Sequence, residues 1–155
     1  MDVSRRALLR GGAESLPFPP WAVADFVGRC ERCDACIPVC ETGILVRGDG
    51  GFPRVDFRRG ECTFCGACAE ACEHGAFLPT DEIPWTLCVT LAGPCLAEGG
   101  VACRSCEDVC ESRAIRFRLQ VGGRAALQFD PAACNGCGAC IPACPAGVLH
   151  MEAST

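Results

Sequence analysis

Apolar residues in this chain come in short runs punctuated by glycine and proline, never in one long stretch. Ile44-Leu45-Val46 leads into Gly48-Asp49-Gly50-Gly51 and returns as Val55-Asp56-Phe57, which predicts a β-hairpin. A second hairpin is predicted further on. There Ala114-Ile115-Arg116-Phe117 alternates inward apolar residues with outward arginine, Gly122-Gly123 makes the turn, and Leu127-Gln128-Phe129 comes back. No run approaches the roughly 20 apolar residues of a membrane span.

The two hairpins belong to a larger repetition. Pro20-Trp21 precedes Cys30 by ten and nine residues, and Pro84-Trp85 precedes Cys95 by eleven and ten. The chain therefore reads as a duplication: a first half over residues 20–78, a polar joint over 79–83 and a second half over 84–150. A basic arm, 1–19, precedes them and a short tail, 151–155, follows.

Composition sharpens this picture because 17 of the 155 residues are cysteine. Units of 60 to 70 residues rarely hold together by apolar burial alone, so this density points to a disulfide framework or a metal protein. Spacing separates the two. Three segments read C-x2-C-x2-C-x3-C: Cys30-Cys33-Cys36-Cys40, Cys62-Cys65-Cys68-Cys72 and Cys134-Cys137-Cys140-Cys144. A fourth is distorted, with Cys95 displaced from Cys103-Cys106-Cys110 by seven intervening residues, and Cys88 is left over. Small residues such as Ala35, Ala67 and Ala139 stand between the closely spaced cysteines, suiting a tight loop followed by a short helix. Zinc sites usually pair two C-x2–4-C knuckles through a long spacer, which three such runs do not match; zinc stays as the alternative.

The runs resemble those of bacterial two-cluster ferredoxins, in which three cysteines of one loop reach three corners of a [4Fe–4S] cube and the last ligates the other cluster. That resemblance implies an α+β fold of tandem 2[4Fe–4S] ferredoxin-like repeats, short hairpins and short helices around the clusters. Carried over, Cys30, Cys33, Cys36 and Cys72 would hold cluster I, and Cys62, Cys65, Cys68 and Cys40 cluster II. Cys95, Cys103, Cys106 and Cys144 would hold cluster III, and Cys134, Cys137, Cys140 and Cys110 cluster IV. Four clusters are expected and three at minimum, because Cys95 departs from the regular spacing. Folding would then depend on the metal.

The formal charge is −5, and four oxidised clusters would carry it to roughly −13, so nucleic acid is not an expected partner. Acids replace the usual proline at Cys40-Glu41, Cys72-Glu73 and Cys110-Glu111, while Cys144-Pro145 keeps it. Negative charge near a cluster lowers its reduction potential. Ser4-Arg5-Arg6-Ala7-Leu8-Leu9-Arg10 is similar to a twin-arginine export signal, but Gly11-Gly12-Ala13-Glu14-Ser15-Leu16-Pro17 interrupts the apolar helix such a signal needs. The expectation is a cytoplasmic protein whose Arg5, Arg6 and Arg10 dock on a partner. Cys88 is read as a small buried hydrophobe, His74 and His150 as loop or terminal histidines, and Trp21 and Trp85 as packing residues against cluster loops. No nucleophile–base pair or phosphate loop is present, which speaks against an enzyme or a small-molecule substrate.

Ser4-Arg5-Arg6, Pro19-Pro20-Trp21, Cys33-Asp34-Ala35-Cys36, Arg47-Gly48-Asp49-Gly50-Gly51-Phe52-Pro53, Glu61-Cys62-Thr63-Phe64-Cys65-Gly66-Ala67-Cys68 and Cys103-Arg104-Ser105-Cys106-Glu107-Asp108 together resemble the NapF family of ferredoxin-type proteins, of the periplasmic nitrate reductase system. The resemblance implies an accessory that, before export, binds the catalytic subunit of nitrate reductase and helps to load or reduce its [4Fe–4S] cluster. A general electron-transfer ferredoxin, or an electron-input subunit of an oxidoreductase complex, is the alternative.

Overall fold

The computed structural model describes residues 16–121 and 125–153. Regular structure is short throughout, as loops wrapped around cysteines require. Helix α1 (Phe26–Arg29) precedes the first hairpin, which is β1 (Leu45–Arg47) and β2 (Pro53–Val55) joined through a 3-10 turn over Asp49–Gly51. A second 3-10 turn, Phe57–Arg59, leads to α2 (Ala67–Glu70) and β3 (Leu87–Leu91). Then follow α3 (Ser105–Asp108), β4 (Ile115–Leu119), β5 (Ala125–Phe129), α4 (Cys140–Ala143) and β6 (Leu149–Ala153).

Both hairpins form where the apolar runs put them, antiparallel, with Leu45 opposite Val55 and Ile115 opposite Phe129, while Gly122 and Gly123, expected to make the second turn, lie outside the described residues. Each closes with the same bond: the Asp56 amide donates to Ile44 O and the Asp130 amide to Ala114 O, both at 2.8 Å. Each aspartate then caps the next turn, Asp56 accepting from the Arg58 amide and Asp130 from the Ala132 amide. The duplication is thus visible in backbone geometry and not only in sequence.

A third sheet ties the ends of the second half together. Leu87–Leu91 pairs antiparallel with Leu149–Ala153, so Met151, Glu152 and Ala153, expected as tail, are strand. In the first half the matching contact has shrunk to a single bridge between Ala22 and Phe77. The end of the basic arm is also not separate: the Val55 amide donates to Pro17 O at 2.9 Å, and Arg54 donates to Leu16 O while stacking over Phe18.

Two apolar cores result, one per half. Ile44, Leu45, Val55 and Phe57 surround Cys36 and Cys68; Val89, Ala97, Ile115, Phe117 and Leu149 surround Cys106 and Cys140. Ile141 and Met151 pack against both cores. The polar joint is pinned by Trp21, whose amide donates to Pro84 O and whose indole donates to Glu82 O. Phe57, Phe64 and Trp85 meet edge to face across the two halves.

Candidate iron–sulfur centres

Cysteines far apart in sequence converge into four groups. Cys30, Cys33, Cys36 and Cys72 line one cavity of about 330 Å³, open mouth included. Cys40, Cys62, Cys65 and Cys68 line another of about 370 Å³, and Cys110, Cys134, Cys137 and Cys140 a third of about 290 Å³. The remaining group is Cys106 with Cys95, Cys103 and Cys144 in electrostatic reach of it. In every group the fourth cysteine comes from the partner motif of the same half.

Backbone conformation explains how one loop presents three thiols inward. In each regular motif the residue before the second cysteine and the one after it are left-handed: Arg32 and Asp34, Phe64 and Gly66, Gly136 and Gly138. Two left-handed residues flanking a cysteine turn successive amides to the same side, a concave arrangement that favours an anionic guest. For Arg32, Asp34 and Phe64 the conformation costs roughly 1 kcal/mol each, which surrounding structure has to offset. The third motif lacks this signature, since Arg104 has φ −137°. The seven residues between Cys95 and Cys103 form their own turn, with the Gly99 amide donating to Cys95 O and the Val101 amide to Leu96 O, and Ala97 is buried in the core. That turn returns Cys95 to Cys106.

Burial makes these thiols poor acids on their own. Desolvation pushes Cys68 and Cys140 up to about 12 and Cys36, Cys62 and Cys106 up to about 11, with neighbouring cysteine charges adding to the rise. Cys137 is raised for the same leading reason. Cys40 runs the other way: burial opposes ionisation, but the Thr42 hydroxyl and the amides of Leu45, Ile44 and Gly43 outweigh it and lower its pKa. Four crowded thiols in an apolar pocket need a cationic body to become thiolates together, and a cube of four irons supplies one iron per sulfur. Among the described residues no three His, Cys, Asp or Glu side chains converge tightly enough for a single metal ion. Donor number, chemistry and spacing fit cubanes.

The four groups lie in a series. Cys36 and Cys68 share the first core, and Cys106 and Cys140 the second. Between them, the Cys62 amide donates to Cys137 O at 2.8 Å. The order in space is therefore I, II, IV, III, which chain order does not suggest. Trp85 braces the junction by donating from its indole to Asn135 O at 3.3 Å.

Other singled-out residues take lesser places. Trp21 is buried against the second cavity, and exposed His74 sits at the mouth of the first. Cys88 is buried in β3 opposite Glu152, away from the four groups, while His150 lies in β6 opposite Thr90. Arg5, Arg6 and Arg10 lie outside the described residues. Sequence reasoning did not single out Thr42 and Ser112, whose hydroxyls lie 3.5 and 3.6 Å from the sulfurs of Cys40 and Cys110. Their shared position two residues after a crossing cysteine was a usable signal.

Comparison with known proteins agrees with this geometry. Residues 29–77 and residues 101–148 each match the 4Fe-4S dicluster domain, the second match beginning after Cys95. The chain is 50% identical to a ferredoxin-type protein NapF of Haemophilus influenzae, over 97% of this chain and 94% of that one. It is 44% identical to a protein of the same name from Escherichia coli K12, over 98% and 96%. It is also 33% identical to one component of an ion-translocating oxidoreductase complex from Methanosarcina acetivorans, over 79% of this chain and 47% of that one. With two dicluster domains, 17 cysteines and near-complete coverage by these relatives, the chain is an iron–sulfur electron-transfer protein carrying several [4Fe–4S] clusters and belongs to the NapF family of ferredoxin-type proteins.

Proposed function

We propose that this protein works in the cytoplasm on the unexported catalytic subunit of periplasmic nitrate reductase, supplying electrons or an iron–sulfur unit while that subunit's own cluster is installed. The observation that carries this reading is the near full-length likeness to NapF proteins, together with four cysteine groups placed in series. The assignment of ligands follows the groups described above: four thiols for each of four clusters, with Cys95 completing the third. Bound clusters would supply one-electron chemistry at low potential.

The chain's own residues do the positioning. Left-handed loop residues curl each regular motif around its site, the Cys62–Cys137 bond sets the second site beside the fourth, and buried apolar side chains surround Cys36, Cys68, Cys106 and Cys140. The proposed role is delivery of electrons or of an iron–sulfur unit to the client. Arg5, Arg6 and Arg10 are the proposed contact to the client. Among the described residues no helix is long and apolar enough to cross a membrane.

A second reading, electron input to a larger oxidoreductase, is favoured by the likeness to the ion-translocating complex component. Anaerobic purification with iron and acid-labile sulfide counted per chain, followed by a pull-down with the unprocessed nitrate reductase subunit, separates the two. Retention of the immature subunit, lost when Arg5, Arg6 and Arg10 are replaced, supports the maturation role. No retention, with electron transfer to other acceptors intact, supports the carrier.

A further inference from the structure

The two halves treat the outer edge of their hairpins differently. Because the closing bonds match, Val55 of β2 corresponds to Phe129 of β5, and Arg54 to Gln128. In the first half that edge is covered by the chain itself: Leu16, Pro17 and Phe18 lie along β2, Pro17 O receives the Val55 amide, and Arg54 grips Leu16 O and the Phe18 ring. The corresponding segment of the second half cannot do this. It is the joint before Trp85, and Trp21 holds it against the first half through Glu82 O and Pro84 O.

Among the described residues the result is an open edge. The Asp130–Ala114 bond puts the backbone groups of Leu127 and Phe129 on the side of β5 that faces away from β4, and among the described residues they have no partner. The opposite edge, on β4, is closed: the Phe117 amide donates to Glu107 Oε1 at 3.1 Å, and Arg104 donates to Phe117 O at 3.2 Å. Proteins usually blunt exposed edges with charge, proline or a bulge. Here β4 is blunted by an Arg–Glu pair, while Ala125–Phe129 carries no charge or proline of its own.

Charge says what kind of segment belongs there. Residues 113–129 contain Arg113, Arg116, Arg118 and Arg124 and no acid, in a chain with 19 acidic residues and net −5. We propose that the outer edge of β5 receives an extended segment of a partner protein by strand addition, as Leu16–Phe18 cover β2, and that this segment is apolar at its centre with acidic residues beside it. The β5 edge would accept such a segment whether or not the partner is a nitrate reductase.

The probe is a peptide with residues 15–20 of this chain flanked by two aspartates on each side, added at millimolar concentration to the holoprotein under anaerobic conditions. Hydrogen exchange at Leu127 and Phe129 is expected to slow several-fold, with Val55 unchanged, and a version flanked by lysines is expected to protect several-fold less. Leu127→Pro removes an amide that the β4–β5 ladder does not use, so this variant should keep wild-type iron and sulfide and lose the protection of the Phe129 amide, the one left to read. Absence of protection by the acidic peptide, or equal protection of the Phe129 amide in the proline variant, overturns the proposal. So does protection of Leu127 and Phe129 in the holoprotein alone with a dimeric mass, which would assign the edge to a second copy.

Discussion

Phe57 occupies the space left by the missing side chain of Gly138. A methyl group on Gly138 would overlap the Phe57 ring, and Gly138 also sits at φ +82°. One glycine therefore serves a turn in the fourth motif and the seam between the halves. Gly138→Ala is expected to destabilise the holoprotein by about 2–4 kcal/mol, from overpacking plus backbone strain. Gly66→Ala, at φ +80° but meeting the Thr80 methyl at 3.1 Å and no ring, should cost less. Denaturant melts of the two anaerobically prepared variants check the ranking, and equal losses would count against the Phe57 contact.

Cys95 and Cys88 should differ sharply on substitution. Cys95→Ser removes a thiol grouped with Cys106 and Cys144, and iron is expected to fall from about sixteen to about twelve per chain. Cys88→Ser lies off the four groups and should leave iron unchanged. Iron and sulfide analysis of both variants decides it.

The hydroxyls beside Cys40 and Cys110 should tune potentials. A hydrogen bond to a ligating sulfur stabilises the reduced, more negative cluster. Thr42→Val is expected to shift the second site, and Ser112→Ala the fourth, to more negative potential, each by an amount on the order of tens of millivolts. Electron paramagnetic resonance during redox titration reads each shift, and unchanged midpoints would show that these contacts, at 3.5 and 3.6 Å, are too weak to matter.

Asp56 gives a pH dependence with a definite sign. Hydrogen bonding from the Arg58 side chain, then the Arg58 amide and nearby arginine charge, outweigh burial and hold its carboxyl below the usual carboxylate range. Because the folded value lies below the unfolded one, the stabilisation is fully present above pH 4 or so and disappears as pH falls through the folded value. Asp56→Asn should cost about 0.5–1 kcal/mol at neutral pH, the scale of a helix cap and an exposed ion pair. The variant's melting temperature should also fall less steeply than the wild type's on acidification. A parallel decline in both proteins would remove Asp56 from the account.

Much of the architecture is written in short-range pattern. The two hairpins, the duplication marked by Trp21 and Trp85, and the three regular cysteine runs all depend on spacing within about fifteen residues, because a strand's alternation and a loop's reach are set by local backbone dimensions. The need for a multi-thiol guest follows from the same spacing. The closing of the β4 edge by Glu107 and Arg104, by contrast, has no signal that period or composition reveals.

What tertiary structure alone decided is how distant pieces meet. The series I, II, IV, III rests on one backbone bond between Cys62 and Cys137 and on a ring fitting against a glycine, and neither has a local signature. The return of Cys95 depends on a seven-residue turn whose Ala97 is held by the second core. Met151–Ala153 become strand only because β3 offers an edge, and Leu16–Phe18 become a cover only because β2 does. Long-range pairing is chosen by which surfaces are left to bury and which backbone groups are left to satisfy, and those are known only once the local pieces have docked.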